Sequence, residues 1–282
     1  MLLKIPVEDR VSTYPGRIKL TPVTGESNVY DMSRADVPIN EGTPVNKALF
    51  DNKAYTLTGD VTIHVDSVGN DSTGDGSTDL PFRTIQKAIN SIPKHLGGYT
   101  ATVAVANGTY SERVEIKDFT SGKLVVCTPG SGVTINGIDI INSSFVETNI
   151  LKIQRNSNNS GALYSVKDGS NVAITSNMTL DGYDRTVVGI AAERNSNVIT
   201  GNNITITVNN CVATVSAVWC SFVTLSAITG SNNVLGLSAS QGSIISYKTD
   251  TTTKDWSNAA DSGGLVLTGQ NSSDLSDATL DL

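Results

Sequence analysis

Cysteine is scarce in this sequence: Cys127, Cys211 and Cys220 are the only three in 282 residues. They stand far apart, with no CxxC spacing and no histidine beside them, which excludes a disulfide framework and a Cys/His metal centre. They read as reduced core residues. Histidine is scarcer still, and His64 and His95 read as a strand residue and a helix-end residue, not as a joint metal site. Charge is low at 17%, and the balance of 20 basic against 27 acidic side chains gives −7. That sign excludes a general nucleic-acid binder, which works by neutralising phosphate. Long apolar runs are absent, so no membrane insertion is expected. The opening Met-Leu-Leu-Lys-Ile-Pro-Val-Glu-Asp-Arg places an acidic pair where a signal peptide has its apolar stretch, so Sec export is not expected either.

Small polar residues are abundant instead: 31 Ser, 32 Thr and 25 Asn. Their side chains compete for nearby backbone groups and weaken helices. A hydrophobic fraction of 38% still supplies a core, so the chain reads as ordered and mostly non-helical.

Four segments follow from the pattern. Residues 1–60 are broken by Pro15, Pro22, Pro38 and Pro44 into short extended pieces, with one short helix expected from a Thr43 cap and Pro44 onward; the segment reads as an attachment region. Residues 61–98 carry one strand with Val61, Ile63 and Val65 alternating, a Gly- and Asp-rich loop, and a helix. For that helix the sequence predicts a cap at Asp79, Pro81 in the first turn, and Phe82, Ile85, Ile89 and Ile92 along one face. Residues 99–247 show only short two-residue alternation, as in Val103/Val105, Val114/Ile116 and Ile138/Ile140. Residues 248–282 are polar and acidic toward the end, with partial order at most expected.

An internal repeat runs through the third segment. Ser170-Asn171-Val172 recurs as Ser196-Asn197-Val198, as Ser221-Phe222-Val223 and, more weakly, as Gly242-Ser243-Ile244, a period of 21 to 26 residues. A coil of a parallel β-helix has that length, with polar ladders at equivalent turns. A leucine-rich repeat lacks its Leu-x-x-Leu-x-Leu framework here, and an antiparallel sandwich predicts no fixed offset.

Gly69-Asn70-Asp71-Ser72-Thr73-Gly74-Asp75-Gly76, leading to Pro81-Phe82-Arg83-Thr84-Ile85-Gln86-Lys87-Ala88-Ile89, and Val105 to Ile116 resemble the opening of pectate-lyase-like right-handed parallel β-helices. That resemblance implies an all-β fold with a short N-terminal helix capping the coil stack, behind an extended N-terminal attachment region. Gly16 to Val23, Tyr30 to Asp36 and Glu41 to Ala48 resemble the start of tail fibre or baseplate appendage proteins of phages and phage-derived particles of Gram-positive hosts. This second resemblance implies a homotrimer in a virion or phage-like particle, held to other tail or baseplate proteins through residues 1–60.

A β-helix alone does not identify a catalyst. From Asn195 to Tyr247 there is no Asp, Glu, Lys, Arg or His, and the Gln and Asp motifs of esterase relatives are missing, so no catalytic residue is assigned and no cofactor is expected. A glycosidase pair needs two carboxylates roughly 5 to 9.5 Å apart. Asp168 with Glu193, or Asp181 with Asp184, are the candidates. The repeat offers a structural alternative, with Lys167 stacked on Glu193 and Asp168 on Arg194. Asp66, Asp71, Asp75 and Asp79 carry calcium-type oxygens, with Asp71 and Asp75 the candidate pair, but the loop lacks the EF-hand alternation and reads as turn chemistry. Trp219, Tyr183 and Tyr247, with Trp256, are candidates for stacking on a host-surface glycan, although Trp219 also falls where it can pack over Arg194. The leading expectation is a structural tail appendage that contacts the host surface. The alternatives are a tailspike-type polysaccharide depolymerase and a bacterial surface adhesin.

Overall fold

In the computed structural model the described residues are 11–12, 18–22, 24, 30–34, 38–40, 56–127, 132–156 and 161–268. The chain divides into two compact units, Met1–Tyr55 and Thr56–Leu282. The first contains two short antiparallel pairings: Ile18–Pro22 with Tyr30–Arg34, and Val11–Ser12 with Pro38–Asn40. The expected helix after Thr43 and the acidic end after Gly269 lie outside the described residues.

The second unit is a parallel β-solenoid. Each coil contributes strands to three parallel sheets. On the first sheet, Val61–Val65 pairs with Thr100–Val105, and the series runs on in register through Lys123–Cys127, Val146–Thr148, Asn171–Ile174 and Asn197–Thr200. It ends with the starts of Phe222–Ser240 and Ile244–Trp256 and with Leu265–Thr268. The stack therefore begins earlier than Tyr99 and continues past Tyr247, the limits read from the sequence.

In-register pairing puts equivalent side chains over one another. Leu124, Val146, Val172, Val198, Val223, Ile245 and Val266 form one inward column on the first sheet, and all are buried. Ile138, Tyr164, Ile190, Val215 and Leu237 form another on the third sheet. Burying each such side chain contributes about 1.5 to 3 kcal/mol. The coils thus share one continuous core that no single coil could make alone.

Serine supplies a polar ladder at the corner leading into the first sheet. Ser143, Ser170, Ser196, Ser221 and Ser243 are all buried. The Ser143 N–H donates to Ser170 Oγ at 3.1 Å, the Ser196 N–H to Ser221 Oγ at 3.2 Å, and the Ser221 N–H to Ser243 Oγ at 3.0 Å. The Ser196 and Ser221 hydroxyls donate in turn to the carbonyls of Glu193 and Val218, at 2.7 and 2.9 Å. Backbone groups turned inward by the corner thus find partners inside the stack. The ladder also corrects the repeat: Ser221 pairs with Ser243, because Phe222 lies opposite Ile244, so the fourth copy is Ser243-Ile244-Ile245 and not the triplet one residue earlier. A one-residue slip would have turned every side chain to the wrong face.

The helix Ile85–Ser91 is the only one among the described residues, and its N-cap is Thr84, whose hydroxyl accepts from the Lys87 N–H. It starts later than expected. Phe82 is held as an extended residue, its N–H donating to the His64 carbonyl at 3.0 Å while its carbonyl accepts from Asp66 at 2.9 Å. The backbone that was to form the first turn is thus used by the neighbouring strand. Ile85, Ala88 and Ile89 face inward and close the proximal end of the core.

Two buried hydroxyls give opposed predictions. Ser221→Ala leaves the Ser196 N–H and the Val218 carbonyl without partners and should destabilise the chain by about 1 to 3 kcal/mol. Thr214 Oγ1 is buried with no hydrogen-bond partner, so Thr214→Val should be neutral or stabilising by about 1 kcal/mol. Guanidinium unfolding midpoints of the two variants should move in different directions from wild type; a shared downward shift would contradict the ladder account.

Candidate functional site

Any hydrolytic chemistry on the stack would depend on its carboxylates. Asp168 pairs with Arg194 across adjacent coils. Glu193 lies directly opposite Lys167 in the ladder, with 3.8 Å between their charged atoms, and 3.4 Å from the Arg194 guanidinium. The Arg194 guanidinium also sits 5.8 Å from the Trp219 ring centroid. Asp168, Arg194 and Trp219 therefore stack at one corner, where each takes a positive φ, at 57°, 55° and 55°. The arrangement reproduces the structural pairing read from the repeat.

Asp184 pairs with Arg155 and accepts from Thr186. Asp181 accepts from the Tyr183 N–H at 3.1 Å and from the Asn210 carboxamide at 2.8 Å, and Asn210 accepts in turn from Asn232 at 2.6 Å. These two aspartates thus belong to a turn and to a second polar ladder. Hydrogen bonds from Arg194 hold the Asp168 carboxyl below its ordinary value, and those from Thr186 and Arg155 do the same for Asp184. A general acid requires the opposite shift, so neither is tuned to protonate a leaving group at neutral pH.

The acidic loop has a different task. Asp71 accepts from the Arg83 N–H at 2.8 Å, the Thr84 N–H at 3.1 Å and the Thr84 hydroxyl at 2.7 Å. Asp75 accepts from the Ser77 N–H at 2.9 Å. Glu112 reaches over from the first coil to accept from the Ile85 and Gln86 N–H groups at 2.8 and 2.9 Å. The Gln86 carboxamide pairs both ways with the backbone of Glu115. These residues fasten the capping helix to the stack, a role the sequence reading did not give to Glu112. His64 sits 3.3 Å from the Thr78 hydroxyl, and His95 forms backbone bridges to Thr56 and Thr120. Among the described residues no three His, Cys, Asp or Glu groups come together as a metal site, and no helix is long and apolar enough to cross a membrane.

The candidate aromatic contacts separate. Tyr183 is 69% exposed and Trp219 47%, whereas Tyr247 is 8% exposed. Tyr247 stands in the inward column, opposite Leu225, so its ring has no free face for a sugar; this corrects the expectation. The side chain of Trp256 lies outside those described. Phe222 and Ile199, which the sequence reading passed over, are 44% and 41% exposed. They project from the outer face of the first sheet, beyond the corner that carries Trp219. Cysteine also divides: Cys211 is buried, which pushes its thiol up to about 12, while Cys220 is exposed because it occupies the corner turn. The outer surface of the distal coils is thus uncharged from Asn195 to Tyr247, small and polar, and studded with a few large apolar side chains. Such a surface suits contact with another surface.

The cap generates a pH prediction. Partial burial pushes the Asp71 carboxyl up, but the hydrogen bonds from Thr84 and Arg83, with the Lys87 charge, outweigh it and hold it below the ordinary 3.8. Its contribution is therefore present above that value and is lost as pH falls through the lowered one. Asp71→Asn should lower stability by about 1 kcal/mol at pH 7. Thermal melts at descending pH should show the gap between wild type and variant closing only below the ordinary carboxylate value of 3.8, as the lowered carboxyl is protonated.

A family model described as "Protein of unknown function (DUF1565)" matches residues 67–117. No curated protein and no solved structure matches the chain. The matched stretch is the loop, capping helix and first-coil strands whose hydrogen bonds are described above. Match and solenoid agree in marking the chain as a β-helix protein.

Proposed function

We propose that this chain is a structural appendage of a phage-like tail particle, attached through residues 1–60 and contacting the host surface with its β-helix. The observation that carries the contact is the distal surface: coils without Asp, Glu, Lys, Arg or His from Asn195 to Tyr247 that expose Trp219, Phe222 and Ile199. The candidate catalytic carboxylates are meanwhile committed to ion pairs and turns. A β-helix of this kind is compatible with an extended surface-binding or adhesin-like protein. The particle assignment is supported by the resemblance of Gly16–Val23 and Tyr30–Asp36 to tail appendage proteins and by the separation of Met1–Tyr55 as its own unit. In this reading the chain is a homotrimer and resides in the virion or a derived particle.

Deleting residues 1–60 should abolish incorporation into particles while the remaining chain keeps its strand-rich circular dichroism. Incorporation of the truncated chain would refute the docking assignment. Light scattering should give a trimer at micromolar concentration; a monomer would remove that part. Soluble saccharide released from host envelopes by wild type, but not by Asp168→Asn or Glu193→Gln, would replace the structural reading with a depolymerase.

A further inference from the structure

The corner between the first and second sheets holds a cleft of about 470 Å³, and its origin lies in coil length. In one coil the chain leaves the first sheet at Thr200 and resumes on the second at Thr205, so Gly201, Asn202, Asn203 and Ile204 form a turn. In the next two coils the same corner is a single residue within an unbroken strand. It is Ser226 in Phe222–Ser240 and Lys248 in Ile244–Trp256. The longer turn therefore forms a shelf, and the shorter coils form the wall beside it.

Shelf and wall are fastened together. The Asn203 N–H donates to Ser226 Oγ at 3.0 Å, and the Ser226 N–H donates to Thr200 Oγ1 at 2.7 Å. The Gly201 N–H is tied to the Ile174 carbonyl of the coil below at 3.0 Å, and Ser246 donates to Thr224 Oγ1 at 3.2 Å. The frame is thus preorganised, which limits the entropy lost when a ligand binds. The carboxamides of Asn202 and Asn203 and the Lys248 ammonium, by contrast, have no partner among the described residues. Each carboxamide offers donors and an acceptor, and the ammonium offers three donors and a charge. Lys248 is the sole ionisable group lining the cleft.

We propose that this cleft binds a polyhydroxylated chain carrying an anionic substituent, carboxylate or phosphate. Lys248 takes the charge while Asn202 and Asn203 take the hydroxyls. The inference rests on the reading that the distal coils contact a host surface, and it names the chemistry of that contact.

Full-length chain is titrated calorimetrically with an oligogalacturonate, a glycerol-phosphate oligomer and a neutral maltodextrin, at low and high salt. At least one anionic probe should bind at least tenfold more tightly than the maltodextrin, with affinity that falls as salt rises. Preference between the two anionic probes assigns the substituent. Lys248→Gln should weaken that binding at least tenfold and remove its salt dependence. Asn203→Gly, which keeps the φ of 61° accessible, should weaken it about threefold. Equal binding of the maltodextrin, unchanged binding by Lys248→Gln, or binding of no probe overturns the proposal. Sedimentation with host envelopes separates the two levels: if Lys248→Gln sediments like wild type, the cleft fails and surface contact stands. If wild type does not sediment either, surface contact fails and the cleft falls with it.

Discussion

From Val61 onward a residue's most important neighbours are not those beside it in the chain but its counterparts on the coils above and below. The offset is 40 residues across the capping helix and between 18 and 28 residues from coil to coil after it. Parallel in-register hydrogen bonding imposes this, because the strands stack about 4.8 Å apart and leave no room for unlike side chains to interleave. Each column must then be self-compatible. Inward columns are filled mainly with Val, Ile and Leu, with Tyr164 and Tyr247 among them, corner columns with Ser or Asn that bond to their own kind, and charged outward positions with alternating sign. The Lys167–Glu193 and Asp168–Arg194 pairs follow from that rule. Their surface exposure limits each to about 1 kcal/mol or less, so they settle register more than they add stability.

A stack built this way has two ends, and an open end would expose core and strand edge together. At the proximal end the helix Ile85–Ser91 covers the core. It is short for an independent helix, so its persistence depends on the hydrogen bonds that Asp71 and Glu112 accept from the backbone at its start and that Gln86 accepts from the Glu115 N–H. Burial pushes the Glu112 carboxyl up even though the Gln86 and Ile85 N–H groups oppose that shift. The density of polar residues in the loop and first coil is thus a requirement of closure. The family match covers this part of the chain, residues 67–117.

Surface relief arises where the columns become irregular. Regular coils of equal length give a flat wall, while a change in turn length gives relief. The shortening between the coil of Thr200 and those of Ser226 and Lys248 makes the cleft, and the left-handed corner holds Trp219 outward at a φ of 55°. Elsewhere from Asn195 to Tyr247 the side chains carry no charge.

Composition, the Ser-Asn-Val repeat and the alternation of apolar residues were sufficient to identify a parallel coil stack. Opposite-charge stacking could also be read directly, since a fixed offset places Lys167 on Glu193 and Asp168 on Arg194 before any coordinates. The exact register beyond Ser221 could not: Gly242 and Ser243 both suit a turn, and only the buried hydroxyl bonded to the Ser221 N–H decides between them. The helix start was likewise undecided by Asp79 and Pro81, because a long-range pairing with His64 claimed Phe82. Exposure was the least legible property. Tyr247 and Phe222 look alike in the chain, yet the pleat turns one inward and the other outward. Local sequence determines which residues suit a coil, and only the stacking of distant coils decides which way each one points.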